Sequence, residues 1–331
     1  MNQAGIDVAS ESFDIQRCCG ETIAHRTFAN TNSGHQQAIQ WLQCGSEQVR
    51  VCLEATGIYH LQLALALCRT AGIELMVLNP RAARRFAEAQ MVRGKTDKID
   101  ALVLLHYLEC MPFVPWHAPS ELRLELQSLA HRLSQLTKEQ VRERSRLHAA
   151  ARAGEHTHEA QHDIRVHIRF LKRRYAQLEA KAIALMKQHE DLAEDLKLVD
   201  SAPGFAETSA LQVIAEVGLL PAHLQPQQWV AQAGLDPKPS ESGTSVHAPR
   251  HISKQGNAKL RAALFFPAMS ACRCDPNVRA FYEKLLAKGK TKRLAQTAVM
   301  RKLLHSIWAM LKYRQPWDGD KFYRIPESIN T

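Results

Sequence analysis

The stretch Gly94-Lys95-Thr96-Asp97-Lys98-Ile99-Asp100-Ala101 sets two carboxylates three residues apart in a basic chain. At the start of a helix, i and i+3 share one face. Such a pair can complement the helix dipole and bond the free N–H groups of the first turn. It can equally supply ligand oxygens, and two further acids bear on the choice. Asp7 lies in the otherwise apolar Gly5-Ile6-Asp7-Val8, and Glu54 ends the alternating run Val49-Arg50-Val51-Cys52-Leu53. Four converging carboxylates repel one another unless a cation sits among them. Oxygen-only ligands suit Mg²⁺, with Mn²⁺ as a substitute. Such a centre polarises a phosphodiester and stabilises charge on the attacking and leaving oxygens.

For these acids to meet, the first hundred residues must form a sheet. Residues 5–8, 12–18, 22–28, 49–54 and 74–78 read as strands, and 34–43, 59–71 and 97–109 as helices. Three meandering strands followed by helix–strand units give a mixed sheet with helices packed on it. In that order the first and fourth strands are neighbours, which sets Asp7 beside Glu54. The helix opening at Asp97 follows the last strand and can pack alongside.

The three prolines of residues 112–119 read as a linker, and 120–198 as almost wholly helical with a break near Gly154. Leu126, Leu129, Leu133 and Leu136 recur at three and four spacing. Two long helices folded on each other or against a second subunit fit this pattern, as does an ordinary helical subdomain. His156, His158 and His162 have metal-like spacing but lack accompanying acids or cysteines at ligand spacing, and read as a polar turn. Beyond Val199, Ala202-Pro203-Gly204-Phe205 between two helical runs resembles a helix-hairpin-helix, whose glycine turn lets N–H groups approach phosphate. Residues 234–256 form a Ser-, Pro- and Gly-rich loop, and helices are expected over 258–272, 277–287 and 292–312.

The charge balance points to the partner. The net charge is +10, and residues 250–302 alone carry thirteen Lys and Arg against two acids. The rest is nearly neutral, so the C-terminal part should meet a polyanion. None of the eight cysteines forms a Cys-x-x-Cys pair, which argues against a zinc site. With no signal peptide and no apolar run near the roughly 20 residues of a membrane span, a reducing cytoplasmic setting without membrane is expected.

Gly5-Ile6-Asp7, Glu54-Ala55-Thr56-Gly57 and Lys95-Thr96-Asp97-Lys98-Ile99-Asp100-Ala101 together resemble the IS110 family of insertion-sequence transposases. These have a DEDD, RuvC-like nuclease domain and are related to Piv-type DNA invertases. Ala202-Pro203-Gly204, residues 205–218, Ala233-Gly234-Leu235, Glu241-Ser242-Gly243 and Ser253-Lys254-Gln255-Gly256-Asn257 follow in the family's order, so the resemblance covers essentially the whole chain. It departs at Ser10, where the family often has lysine, and at Ala206, where the hairpin usually has a second glycine.

The resemblance implies an RNase H-like mixed-sheet domain (1–111), a linker and helical coiled-coil insert (112–198) and a mainly helical transposase domain (199–331). It implies a homo-oligomer, dimeric and then tetrameric on DNA, acting on donor and target DNA in the bacterial nucleoid. A non-coding bridge RNA would pair with both. By position Ser242 is the nucleophile, and Asp7, Glu54, Asp97 and Asp100 hold Mg²⁺ beside it in a site spanning two domains. A serine hydroxyl needs such activation, and a phosphoserine–DNA link conserves bond energy for resealing. Lys95, Arg250, Lys254, Asn257, Lys259 and Arg261 are the expected nucleic-acid contacts. Without the family, Ser242 reads as an ordinary turn residue and the basic residues as a solvated face. Two other readings therefore stand beside recombination: a hydrolytic RuvC-like nuclease with a structural Ser242, and a non-catalytic nucleic-acid-binding protein.

Overall fold

A computed structural model describes residues 2–45, 48–91, 96–238, 241–242, 246–247 and 251–326, without the side chains of 155, 241, 242, 246 and 247. The chain divides into two compact units, Met1–Ala118 and Pro119–Thr331.

The first unit is built on a five-stranded mixed sheet. Its strands are β1 (Asn2–Val8), β2 (Ser12–Cys19), β3 (Thr22–Ala29), β4 (Val49–Glu54) and β5 (Ile73–Leu78), in the order β3-β2-β1-β4-β5. β1, β2 and β3 are antiparallel neighbours, while β4 runs parallel to both β1 and β5. The expected adjacency of the first and fourth strands is therefore present. Period-two alternation decides which side chains face which layer. Ala4, Ile6 and Val8 pack with Val51 and Leu53 against α1 (Asn32–Gln43) and α2 (Leu61–Cys68). On the opposite face Cys52, Met76 and Leu78 pack against α3 (Pro80–Ala89) and α4 (Asp97–Cys110).

The sequence reading lacked α3. Its start signal was nevertheless present: the Asn79 side chain accepts from the Arg81 N–H and Pro80 occupies the first turn. Phe86 of α3 meets Tyr107 of α4 edge to face, with ring centres 5.1 Å apart. Helix α2 is shorter than the expected 59–71, beginning only at Leu61.

The second unit opens with α5 (Glu121–Ala153) and α6 (His158–Lys187), which pack against each other. The break falls where the sequence placed it, with Gly154 at φ 110°. Leu126, Leu133 and Leu136 of α5 are buried. Leu126 and Leu133 share one hydrophobic core with α7 (Glu190–Asp200), α8 (Glu207–Val217), α9 (Pro226–Gln232), α10 (Ala258–Ala263), α11 (Phe265–Cys274), α12 (Pro276–Ala287) and α13 (Lys292–Tyr313). The expected single helix over 258–272 is two, α10 and α11. Between α7 and α8, Gly204 sits at φ 82°, and a Cβ there would lie 2.3 Å from the Pro267 carbonyl oxygen. Only glycine fits that approach. Ala206 has φ −143°, so an alanine carries no strain where the family has glycine.

Candidate functional site

The carboxylates of the first unit lie on the α4 face of the sheet. Gly5 and Asp7 alternate with the core residues of β1, and Glu54 lies two residues beyond Cys52 on β4. Ile6 stands opposite Leu53, so the parallel register carried one step further faces Asp7 to Glu54. What brings α4 onto them is Gly5. A Cβ at Gly5 would lie 2.1 Å from the Ala101 carbonyl oxygen and 2.3 Å from the Leu105 nitrogen. The helix backbone thus rests directly on the strand, with the first-turn residues Asp97 and Asp100 next to that contact. Gln16 of β2 fixes the same turn, its Nε2 donating to the Lys98 carbonyl at 3.3 Å.

Thr96 caps α4, its Oγ1 accepting from the Ile99 N–H at 3.2 Å. Neither aspartate is therefore the cap, and complementing the helix dipole is the structural role left to the pair. Electrostatics show how near the acids are. Burial, then the charges of Asp100, Glu54 and Asp97 in that order, raise the Asp7 carboxyl to about 6. The same field reaches Cys52, whose thiol is pushed up to about 12 by burial and then by Glu54. Among the described residues, the side-chain groups whose charges act on Asp7 are all carboxylates.

A divalent ion fits this donor set chemically: all four donors are hard oxygens, and Asp100, Glu54 and Asp97 each raise the cost of ionising Asp7. Among the described residues no three His, Cys, Asp or Glu are already gathered closely enough to hold a metal ion. Binding would thus require the carboxylates to draw inward.

Sequence reasoning missed Asp14. It stands directly opposite Asp7 across β1 and β2, and is buried. Its Oδ1 accepts from Thr27 Oγ1 and pairs with His25 Nε2, both at 2.7 Å. The alternation of Asp14 and Gln16 along β2 was the available signal.

In the second unit Ser242 lies on a short strand, β7 (Glu241–Ser242), paired antiparallel with β8 (Val246–His247), Ser242 opposite Val246. A separate two-stranded ladder pairs β6 (Pro237–Lys238) with β9 (His251–Ile252). Lys95 and Arg250 lie outside the described residues. The β6–β9 ladder is closely fixed. Ser253 Oγ donates to Asp236 Oδ1 at 2.5 Å, and the Asn257 N–H to the Gln232 carbonyl at 2.6 Å. Gly256 has φ 136°, and a Cβ there would lie 2.2 Å from that same carbonyl oxygen. Lys254 adopts φ 51°, a left-handed corner rare outside glycine.

Asn257 has a double task. Its Oδ1 caps α10, accepting from the Lys259 and Leu260 N–H groups, and its Nδ2 donates to Glu216 Oε2 at 2.6 Å. Glu216, on α8, is only 3% exposed. Its other oxygen meets His131 Nε2 of α5 at 2.7 Å, and Lys259 Nζ lies 2.7 Å from His131 Nδ1. Burial alone would raise the Glu216 carboxyl, but the bonds from His131 and Asn257 and the charges of His131 and Lys259 outweigh it. The net position is below the ordinary value. Arg261 donates to the Ala233 carbonyl at 2.7 Å. Lys254, Asn257, Lys259 and Arg261 thus cluster beside the β6–β9 ladder, where Asn257 and Arg261 bond residues 232–233. Glu216 and His131 escaped the sequence reading, since a Glu within an apolar helical run and a His within a charged helix are unremarkable alone.

A mixed sheet with carboxylates on one face, in a chain with a strongly basic second unit, suits an enzyme that acts on nucleic acid. Comparison with known proteins narrows this. Residues 4–153 match the DEDD_Tnp_IS110 family, described as "Transposase", and residues 196–283 match "Transposase IS116/IS110/IS902 family". The pilin gene-inverting protein of Moraxella bovis is 27% identical over 321 residues, covering 95% of this chain and 97% of that protein. The insertion element IS110 uncharacterized 43.6 kDa protein of Streptomyces coelicolor is 31% identical over 154 residues, 46% of this chain and 35% of the relative. The chain belongs to the IS110 family of transposases. Among the described residues no helix is long and apolar enough to cross a membrane.

Proposed function

We propose that the chain excises and inserts its own insertion sequence, with Ser242 as nucleophile and Asp7, Glu54, Asp97 and Asp100 as the set that holds Mg²⁺. The observation carrying this reading is the joint action of Asp100, Glu54 and Asp97 on Asp7, on one face of the sheet. When bound, the ion supplies Lewis-acid stabilisation of charge on the scissile phosphate. Ser242 Oγ attacks phosphorus and gives up its proton as the new P–O bond forms. The bond to the 3′ oxygen breaks, and that oxygen takes up a proton as a free 3′-OH. A phosphoserine–DNA link remains, and attack by a new 3′-OH reverses the step and releases the serine. Total phosphodiester number is preserved, so no nucleotide hydrolysis is required.

The ladder of β6 and β9 is fixed through Ser253 and Asn257. The basic residues there, Lys254, Lys259 and Arg261, with Arg250 and Lys95, would meet the phosphate backbone. Residues 112–198 would serve as linker and oligomer-forming helices, and 199–331 would carry the serine chemistry. Donor and target DNA are joined by a homo-oligomer in the bacterial cytoplasm, and a non-coding bridge RNA pairing with both supplies the sequence choice.

The test is an excision assay in cells carrying the element with its non-coding flanks. Asp97→Asn and Glu54→Gln should each abolish excision while leaving protein level and DNA binding intact. Retained excision in both would remove the carboxylates from the chemistry. Loss of excision when the flank's transcript is silenced, restored by supplying it in trans, would bear out the guide RNA; indifference to it would exclude one.

A further inference from the structure

A second feature of the basic unit lies away from the serine hairpin. Helix α13 ends at Arg314, in the left-handed conformation at φ 52°, and the chain then turns back along the helix. The Gln315 N–H bonds the Met310 carbonyl at 3.2 Å, and the Trp317 N–H the Ser201 hydroxyl at 3.0 Å. Between α13 and residues 315–321 this leaves a cleft of about 430 Å³, within the range of small-ligand sites.

Its lining is aromatic and cationic. Tyr313, 63% exposed, and Trp317 supply rings, and Lys302 and Lys321 supply charge. Lys302 Nζ lies 4.6 Å over the Phe281 ring and 4.9 Å over Phe322. Among the described residues no carboxylate pairs with Lys302. Lys321 reaches Gln315 Oε1 at 2.9 Å and Asp318 at 3.8 Å, both from the cleft's own rim. His305 also lines the cleft, and its Nε2 is buried without a hydrogen-bond partner. Burial, with Arg301 and Lys302 nearby, holds this imidazole below its ordinary value, so it is neutral at pH 7. A buried polar atom without a partner carries a penalty that a ligand can remove.

We propose that this cleft is a subsite for one unpaired nucleotide of a nucleic-acid strand, its base against Trp317 and Tyr313 and its phosphate toward Lys302 and Lys321. A planar ring joined to an anion is the ligand that uses both halves of the lining. Stacking on aromatic rings needs a base whose faces are open, hence an unpaired one. His305 Nε2 then bonds a base or sugar edge. The choice of a nucleotide over another aromatic anion rests on the reading of the chain as a transposase. RNA and DNA share this chemistry.

The test uses the full chain with two photoreactive probes, a six-nucleotide RNA carrying 5-iodouracil and its DNA counterpart. Irradiated adducts are mapped by mass spectrometry. The unaltered protein should carry adducts at Tyr313 or Trp317, from one probe or both. The probe that reacts names the source. Ala309→Trp fills the cleft from the helix side, and Tyr313→Ala with Lys321→Ala strips its rim. Each should remove those adducts and weaken probe affinity about tenfold, with the melting temperature unchanged. Adducts of the unaltered protein confined elsewhere would overturn the proposal, as would adducts that persist in Ala309→Trp. The outcome is separable from the transposase reading, because excision by a chain whose cleft takes no label refutes the subsite alone.

Discussion

Asp7 should make the metal-free protein less stable, and Asp7→Asn should repair it. The carboxyl is raised from 3.8 to about 6, by burial first and then by Asp100, Glu54 and Asp97. At about 1.36 kcal/mol per pH unit that displacement corresponds to about 3 kcal/mol at neutral pH. Asp7 is only partly buried, so solvent screening reduces the figure to about 1–2 kcal/mol. The sign follows from linkage. An acid with a raised folded value leaves the fold unpenalised below 3.8, and the penalty grows through the window up to about 6. In EDTA at pH 7, Asp7→Asn should therefore melt higher than the unaltered chain, by roughly 4 °C per kcal/mol in a unit of this size. The gap between the two should close as the pH falls from 7 toward 4. With Mg²⁺ the order reverses, because only the unaltered site gains a ligand-binding increment. The assay is thermal melting in EDTA and in Mg²⁺ across that pH range. A variant that melts lower in EDTA at pH 7, or a gap independent of pH, would refute the claim that these carboxylates repel one another at Asp7.

Gly5→Ala should cost at least about 2–3 kcal/mol and abolish the Mg²⁺-induced rise in melting temperature, since its Cβ would lie 2.1 Å from a backbone oxygen of α4. An unchanged melt and metal response would show that α4 does not rest on β1. Glu216→Gln should destabilise the second unit by about 1–3 kcal/mol, because its amide must turn one N–H group toward a donor, either His131 or Asn257. Held below its ordinary 4.5, the Glu216 carboxylate stabilises the fold above that value, and the contribution fades as pH falls through the lower folded value. Denaturant titrations at pH 7 and pH 3 should show the difference between variant and parent shrinking in acid. DNA affinity should fall at least about a hundredfold between 50 and 200 mM salt, as several phosphate contacts require; a flat salt response would exclude backbone contact by the basic region.

Much of the first unit could be read from residue order. The period-two runs of β1 and β4 declare themselves, and three meandering strands before a helix force β1 beside β4. That placed Asp7 next to Glu54 without any coordinates. Helix α3 is hard to see because Arg81, Arg84, Arg85 and Glu88 leave it few apolar positions, and its cap signal, Asn79-Pro80, directly follows a strand. The depth of α4 on the sheet was not legible either, because Gly5 reveals its purpose only when Ala101 is seen against it. Ser242 carries no local signal at all. Its interest comes from the resemblance, and its hairpin from pairs only two residues long. The Glu216–His131–Asn257 network joins residues up to 126 positions apart, a distance over which sequence spacing says nothing.

The central claim is that a serine hydroxyl, assisted by the carboxylate set, attacks DNA. Its most direct measurement is covalent capture: the protein with Mg²⁺, DNA spanning the element junction, target DNA and flank RNA, followed by denaturing electrophoresis. The account predicts a denaturation-resistant protein–DNA band that maps to Ser242 and disappears in both Ser242→Ala and Asp97→Asn. Cleaved DNA with no such band, unaffected by Ser242→Ala, would contradict it and leave a hydrolytic nuclease.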